Sequence, residues 1–489
     1  LSVGALDWSL FSGMEVAFYL GIWALGLHLT LEHRELSCLP RLSWLLGLVG
    51  ALIVATRPEG ATSVLVLGCA AAYLVWKQTR SFRGAFFTAV RAGLPAVVLL
   101  IVQSVANLLL TSESAANGAL VKLAIYNPFM SPTDKWNEYV FHLKYCIFRN
   151  IEHHFSDANP YGWIPIALAV VALLSRRTRA QAMILCSSAV LFILLVATNG
   201  QVRWQNERYT MPAVAWLFTA AALGIGVILS QGIHKLMRAT WLPRLAVAAA
   251  IVALFWRHQA PKMKDQIWFF GRACRNIRDQ HIVAGRLLRN TLRPTPHRVL
   301  VGDAGAMMYS SDLPGLDIIG LGGFHDLPFA RAGVAGMGAT VELLERIPAG
   351  DLPDVMALYP TWWGKFPIWF GRQITGVWVE GNVICGGAEK AIYKADWHLL
   401  NTGAKSYAIA PNEKVLDELD TGDLVSEKAH KYEFPHPGAG FVDLRILSYP
   451  KDFARDVLDA GRRIPGERSE SFQLSIHESA KQARLLVRI

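Results

Sequence analysis

The chain has 489 residues, of which 53% are hydrophobic and only 18% charged. That balance excludes a disordered chain and an ordinary soluble globule of this length. The net charge of +10 does not imply a nucleic-acid partner, because much of the excess lies in short loops between apolar runs, where lysine and arginine orient membrane helices.

The apolar residues concentrate in residues 10–257 and charge is denser from 258 onward, which reads as a membrane half followed by a soluble half. Apolar segments predict helices over 13–32, 43–56, 61–76, 92–111, 163–175, 182–198, 210–232 and 245–256, about eight crossings. Several are shorter than the roughly 20 residues a perpendicular span needs, so they extend into polar flanks or sit in protein-lined regions. Pro243 and Arg244 cut into the start of the last. Alternate loops are basic: Arg34 and Arg41, then Lys77, Arg80, Arg83 and Arg91, then Arg176, Arg177 and Arg179, then Lys235, Arg238 and Arg244. These fall on one side, the cytoplasmic one by the charge rule. The start of the chain, the Arg57–Gly60 turn, the loop 112–162, the turn 199–209 and everything after 257 then share the outer side. This arrangement requires the 245–256 helix to cross; otherwise the soluble half lies in the cytoplasm.

Two polar turns interrupt the apolar runs. In Thr56-Arg57-Pro58-Glu59-Gly60, an arginine and a carboxylate beside a proline cost free energy unless they face water or a partner. The turn is either a plain polar hairpin between two membrane helices or a phosphate-binding turn. The turn 199–209 carries Arg203, Glu207 and Arg208 just before Thr210-Met211-Pro212. Its arginines either anchor a helix among headgroups or grip a phosphate bidentately. In the loop 112–162, Lys135–Tyr145 has aromatic residues at helical spacing. That stretch is an amphipathic helix in the membrane interface or a surface loop packed on its own aromatics. His142, His153 and His154 lack the Asp, Glu or Cys spacing that supports a metal site, so no metal is assigned.

The six cysteines, Cys38, Cys69, Cys146, Cys186, Cys274 and Cys385, show no CxxC spacing. Cys69 and Cys186 sit inside apolar runs as packing residues, while Cys274 and Cys385 are able to pair if the soluble half is extracytoplasmic. From His258 the signals alternate between strand and helix. Arg298–Asp303 and Asp354–Tyr359 read as strands and Ala339–Arg346 as a helix, a small α/β layer over 258–429. Gly302-Asp303-Ala304-Gly305 is not a GxGxxG motif, so no nucleotide site is read there. Asp303, Asp317 and His325 either line an acceptor groove or serve structural turns. Residues 430–489 look all-β, with alternation over 434–449 and 471–476, one reading of which is an incomplete carbohydrate-binding-like sandwich.

Asp7 and Glu15 lie at the mouth of the first helix, on the same expected face as the two arginine turns. Guanidinium suits an anionic lipid phosphate and carboxylate suits a general base. Glycosyl transfer from a lipid-phosphate sugar needs that pairing, because arginine stabilises the leaving phosphate while a carboxylate deprotonates the attacking hydroxyl. A transporter of lipid-linked intermediates would instead need charges within the helices, and few are visible.

Trp8-Ser9-Leu10-Phe11-Ser12-Gly13-Met14-Glu15 opening a helix, followed by Thr56-Arg57-Pro58-Glu59-Gly60 between helices, resembles bacterial GT-C glycosyltransferases of the polyprenyl-phosphate-sugar class (arabinofuranosyl- and mannosyltransferase-like). Glu207-Arg208-Tyr209-Thr210-Met211-Pro212 is similar to the Arg-Tyr-x-x-Pro segment that opens a late helix in those proteins. Val301–Ala306, Tyr309-Ser310 and Leu316–Leu321 are similar to their post-membrane strand-and-loop motif. The resemblance implies an α-helical polytopic membrane domain of GT-C type over 1–257, then an extracytoplasmic α/β domain, in a bacterial inner membrane. It also implies an inverting hexosyl or pentosyl transfer from a polyprenyl-phosphate sugar to a cell-envelope glycan, lipid or protein. Arg57, Glu59, Arg203, Glu207 and Arg208 would hold the donor phosphate, with Glu59 orienting Arg57. Asp7 and Glu15 are the catalytic candidates within the chain. The family's catalytic carboxylate follows an earlier helix, so the main base is expected upstream of Leu1. The partners implied are the bilayer, the lipid-linked donor, the acceptor and other membrane subunits. The alternative is a catalytically inactive GT-C-like subunit of a membrane assembly.

Overall fold

The structure is a computed structural model. It describes residues 4–33, 39–149, 160–236, 241–402, 413–433, 441–447, 456–464, 466, 469–476 and 483–487. The chain divides into two compact units, one of Leu1–Ala106 with Trp136–Gly271 and one of Asn107–Lys135 with Arg272–Ile489. The second therefore takes in part of the loop 112–162, and its longer segment begins at Arg272.

The first unit is helical. α1 (Gly4–Phe11) and α2 (Val16–Glu32) meet at 95°. α3 (Leu39–Thr56), α4 (Ala61–Thr79) and α5 (Phe82–Thr111) follow, and α6 (Asn117–Lys122) falls in the second unit. Then come α7 (Pro132–Phe148), α8 (Ile164–Leu174), α9 (Arg179–Val196), the single turn α10 (Trp204–Glu207), α11 (Met211–Leu236) and α12 (Trp241–Asn276). The helix expected over Lys135–Tyr145 is α7. The core packs Tyr19 and Trp23 of α2, Phe192 of α9 and Trp216 of α11, with Trp23 and Trp216 ring centroids 4.9 Å apart. Such aromatic pairs add about 0.5–1.5 kcal/mol each beyond the area they bury.

Four helices among the described residues are long and apolar enough to cross a membrane: Pro58–Thr79, Phe82–Thr111, Arg179–Val196 and Trp204–Ser230, with a fifth if the bent α1–α2 pair is one span. This is fewer than the eight crossings read from the sequence. Pro40–Thr56 and Ile164–Leu174 are apolar but shorter. The expected eighth crossing, 245–256, is only the first part of α12, whose second part carries Arg257, Lys262, Lys264 and Asp265. α5 leaves Val98, Ile101, Val105 and Leu108 exposed, an apolar surface that suits lipid and not water.

In the second unit a π-helix (Ile277–Ile282) runs into α13 (Val283–Asn290). β1 (Val299–Val301), α14 (Ala306–Ser311), β2 (Gly315–Asp317), α15 (Phe329–Ala335), α16 (Met337–Glu345), β3 (Val355–Leu358), α17 (Phe366–Trp369), β4 (Gly371–Trp378) and β5 (Glu389–Ala395) complete the layer. The sheet order is β2-β1-β3-β5-β4, with β1 parallel to both β2 and β3 and β5 antiparallel to β3 and β4. β1 and β3 are buried along their whole length, the pattern of parallel strands covered on both faces. Both strands and the helix 337–345 fall where the sequence places them. Beyond α18 (Leu424–Ala429), the described part of 430–489 holds one antiparallel pair, β6 (Phe441–Leu447) with β7 (Val457–Arg463). The strand expected at 471–476 is a correction. Among the described residues this segment makes a single bridge, Glu433 to Ser471, and leaves Ile476 65% exposed. Alternation alone does not make a strand.

Cys274 and Cys385 are both free thiols, the first exposed and the second buried. Cys38, His153 and His154 lie outside the described residues.

Candidate functional site

The local fold of the Thr56–Gly60 turn follows from its residues. Proline disfavours the helical region for the residue before it. Arg57 accordingly adopts φ −150° and ψ 122°, and α3 stops at Thr56. Pro58 then opens a 3-10 turn, a position that does not need an N–H. Gly60 lies so close to α3 that a Cβ would come 2.6 Å from the Ile53 side chain. The turn closes with the Gly60 N–H donating to the Arg57 carbonyl at 2.8 Å.

This geometry points the Arg57 side chain inward, where it is 3% exposed. Its guanidinium lies 6.0, 5.5 and 5.4 Å from the ring centroids of Tyr19, Phe192 and Tyr209. One end approaches Glu15 and the other Glu59, each at 3.7 Å. Both Nη atoms are buried and neither makes a hydrogen bond within the described residues. A buried charge held by two carboxylates at this range is far less costly than an unpaired one, and removing such partners typically costs about 3–5 kcal/mol. Arg57 therefore acts as a clamp between two carboxylates, not as an open anion anchor.

The groups with partial solvent access are the partners. Glu15 and Glu59 are 31% and 29% exposed. Arg208, 19% exposed, places Nη1 4.0 Å from Glu15 and donates from Nη2 to the Tyr209 hydroxyl at 3.2 Å. Arg57, Glu15, Glu59 and Arg208 thus form one cluster, joining residues that the sequence could only assign to the same face. Asp7 sits on α1, which packs against α2, α10 and α11. Both its carboxylate oxygens are buried without a hydrogen-bond partner among the described residues.

The remaining predicted residues are placed differently. Glu207 is buried and accepts from the Tyr145 hydroxyl at 2.8 Å and from Arg149 Nε at 2.7 Å. It ties α7 to the turn before α11, so its carboxylate is engaged away from the Arg57 cluster. Arg203 is exposed. Gln205, Asn206 and Glu207 have φ of 51°, 59° and 58°, a left-handed turn that costs roughly 1–2 kcal/mol per residue for non-glycine side chains. Strain of this kind persists where the surroundings over-determine it, often at functional sites. Asp317 serves a turn: its carboxylate accepts from Ile319 N–H and Gly322 N–H, both at 3.1 Å. His325 lines a small cavity beside the Arg331–Glu113 ion pair.

Below the Arg57 turn, α4 and α5 leave an apolar groove of about 290 Å³. Its lining includes Ala61, Leu65, Gly68, Gly93, Val97 and Leu100, and Ala61 follows Gly60 directly.

Tyr19 and Phe192, which with Tyr209 wall in the guanidinium, and Arg149, which with Tyr145 holds Glu207, carried no motif signal. Their aromatic or basic character alone does not tell a core position from a site. Residues 275–415 match the model of a family described as "Domain of unknown function (DUF8728)". No curated protein and no solved structure matches the chain. The match covers Asp303 and Asp317, and the Arg57 cluster lies outside it.

Proposed function

We propose that the chain is a membrane glycosyltransferase of GT-C type that moves a sugar from a polyprenyl-phosphate donor to an acceptor hydroxyl. In this reading the protein crosses the bacterial inner membrane several times, with the second unit on the outer side. The observation that carries it is the cluster in which buried Arg57 holds Glu15 and Glu59 at 3.7 Å while Arg208 stands beside Glu15. Carboxylate and guanidinium are the two groups the chemistry needs. The acceptor oxygen attacks the anomeric carbon, Glu15 takes the hydroxyl proton, and the carbon–oxygen bond to phosphate breaks. The electron pair leaves on the polyprenyl phosphate, which Arg208 stabilises, and the anomeric configuration inverts. The groove between α4 and α5 supports a lipid-linked donor, since it is apolar and begins where the charged turn ends.

The test is transfer of radiolabelled sugar from a panel of polyprenyl-phosphate donors to membrane acceptors by the purified full chain. Transfer by wild type and at least about 100-fold less by Arg208→Ala fits the loss of one charged transition-state contact. One observation favours the competing reading of a non-catalytic membrane subunit, namely that Arg57 is walled in by three rings. Failure of wild type with every donor would establish that reading instead.

A further inference from the structure

The second unit contains a buried cation of its own. Lys390, on β5, has no solvent exposure. Its Nζ donates to the Asp303 carbonyl at 3.2 Å and lies 4.2 Å from the centre of the Tyr359 ring. The carbonyl belongs to the loop leaving β1, and Tyr359 is the first residue after β3. β1 connects to β2 on one side while β3 lies on its other side, so the carboxyl ends of β1 and β3 flank the point where the winding reverses. Open α/β sheets bind ligands in that crevice.

The hydrogen-bonding groups there converge on one hydroxyl. The Tyr359 hydroxyl lies 2.7 Å from His281 Nε2, 3.1 Å from Asp303 Oδ2 and 3.3 Å from Gln280 Oε1. His281 is buried, and burial pushes its imidazole down to about 4, so it is neutral at physiological pH. The Tyr359 hydroxyl has one proton, and the Asp303 carboxylate and the Gln280 carbonyl both lie within reach as acceptors beside the His281 ring. Gln280 and His281 come from the π-helix, a distortion frequent at functional sites.

Asp303 is 40% exposed, and Oδ1 takes no hydrogen bond from a described residue. Trp363 packs against Gly302, the residue before Asp303, where a Cβ would sit 2.6 Å from the indole. The cleft holds one charge of each sign, the Lys390 ammonium and the Asp303 carboxylate, which act on each other without forming an ion pair. A cation is thus opposed by Lys390 and an anion by Asp303. What remains favoured is a neutral ligand that donates hydroxyl protons and presents a flat apolar face to an aromatic ring. We propose that this edge of the sheet binds a neutral saccharide, one of whose hydroxyls donates to the free oxygen of Asp303 with the Trp363 ring alongside. The proposal stands independently of any transferase activity in the first unit.

The test uses the purified full chain in detergent, with gluco-, galacto-, manno- and arabino-configured disaccharides as probes in saturation-transfer NMR. At least one should bind wild type. Asp303→Asn, which keeps the side-chain shape, should weaken it about tenfold, and so should Trp363→Ala, with thermal unfolding unchanged in at least one of the two. Asp396→Ala, an exposed carboxylate elsewhere, should leave binding as it is. The proposal is overturned if no disaccharide binds wild type at millimolar concentration. It is equally overturned if both cleft variants bind as wild type does, or if a sugar phosphate binds more tightly than its neutral counterpart.

Discussion

Arg57 in the first unit and Lys390 in the second are both buried cations beside aromatic rings, yet their charges are accommodated in different ways. Arg57 has two carboxylates at 3.7 Å and three rings around it. Lys390 has one backbone carbonyl and one ring, and burial pushes its ammonium down to about 8. The difference follows from the two groups. A guanidinium keeps its proton in a protein interior and must be met by counter-charge, whereas an ammonium is able to release its proton when desolvated. The first unit thus needs Glu15 and Glu59 where they are, and the second unit tolerates a lysine with no carboxylate ion pair among the described residues.

The largest effect that tests this contrast is at Arg57. Arg57→Met leaves two carboxylates facing each other across the turn and should cost about 3–5 kcal/mol, read as a lower unfolding temperature of the full chain in detergent. Arg57→Lys should recover only part of this, because a point charge does not reach two carboxylates at once. Equal stability of Arg57→Lys and wild type would remove the clamp from the account.

A buried carboxylate gives a second, smaller test. Glu342 on α16 is 2% exposed, accepts from the Ala460 N–H at 2.8 Å, and is pushed up to about 9 by burial and then by the charges of Glu345, Asp420 and Asp423. A folded value above the ordinary 4.5 means its stability contribution is complete below about 4.5 and lost as pH rises through about 9. Glu342→Gln should therefore match wild type near pH 4.5 and exceed it progressively more as pH rises towards 9. Parallel stability profiles across that range would contradict the assignment.

The smallest effect is expected at Lys390. Its folded value lies below the ordinary 10.5, so the stability it contributes is present above 10.5 and lost as pH falls through about 8. Lys390→Met should thus gain about 1 kcal/mol at pH 7, an advantage that shrinks between pH 8 and 10.5, followed by denaturant unfolding. A loss of several kcal/mol at pH 7 would mean that the ammonium holds the site together as Arg57 holds its own.

The sequence made the Arg57 turn legible because its signals are local. Proline sets the residue before it, glycine permits the approach to Ile53, and two charges stand out against apolar flanks. The ends of β1 and β3 were legible as well, since four-to-six-residue apolar runs closing on Gly302-Asp303 and Tyr359 are strand signals. Contacts between distant positions were not legible. Nothing in the run 204–209 shows that Glu207 turns towards Arg149 and Tyr145 while Arg208 turns towards Glu15. Lys390 follows Glu389 and precedes Ala391-Ile392, which reads as the solvated end of a strand until the sheet order buries it. The count of crossings failed for a related reason: apolar stretches mark buried helices and lipid-facing ones alike, and only length separates them.

The most direct measurement is sugar transfer from a polyprenyl-phosphate donor by wild type and by Glu15→Gln, each in lipid nanodiscs with thermal unfolding recorded in parallel. The glutamine keeps the shape of the side chain between Arg57 and Arg208 but cannot take a proton. The account predicts transfer by wild type and a loss of at least about 100-fold in the variant, with a lower unfolding temperature because Arg57 loses one of its two carboxylates, but with cooperative unfolding still above the assay temperature. Equal transfer by the two proteins would contradict the role given to Glu15 and, with it, the reading of the Arg57 cluster as a catalytic site.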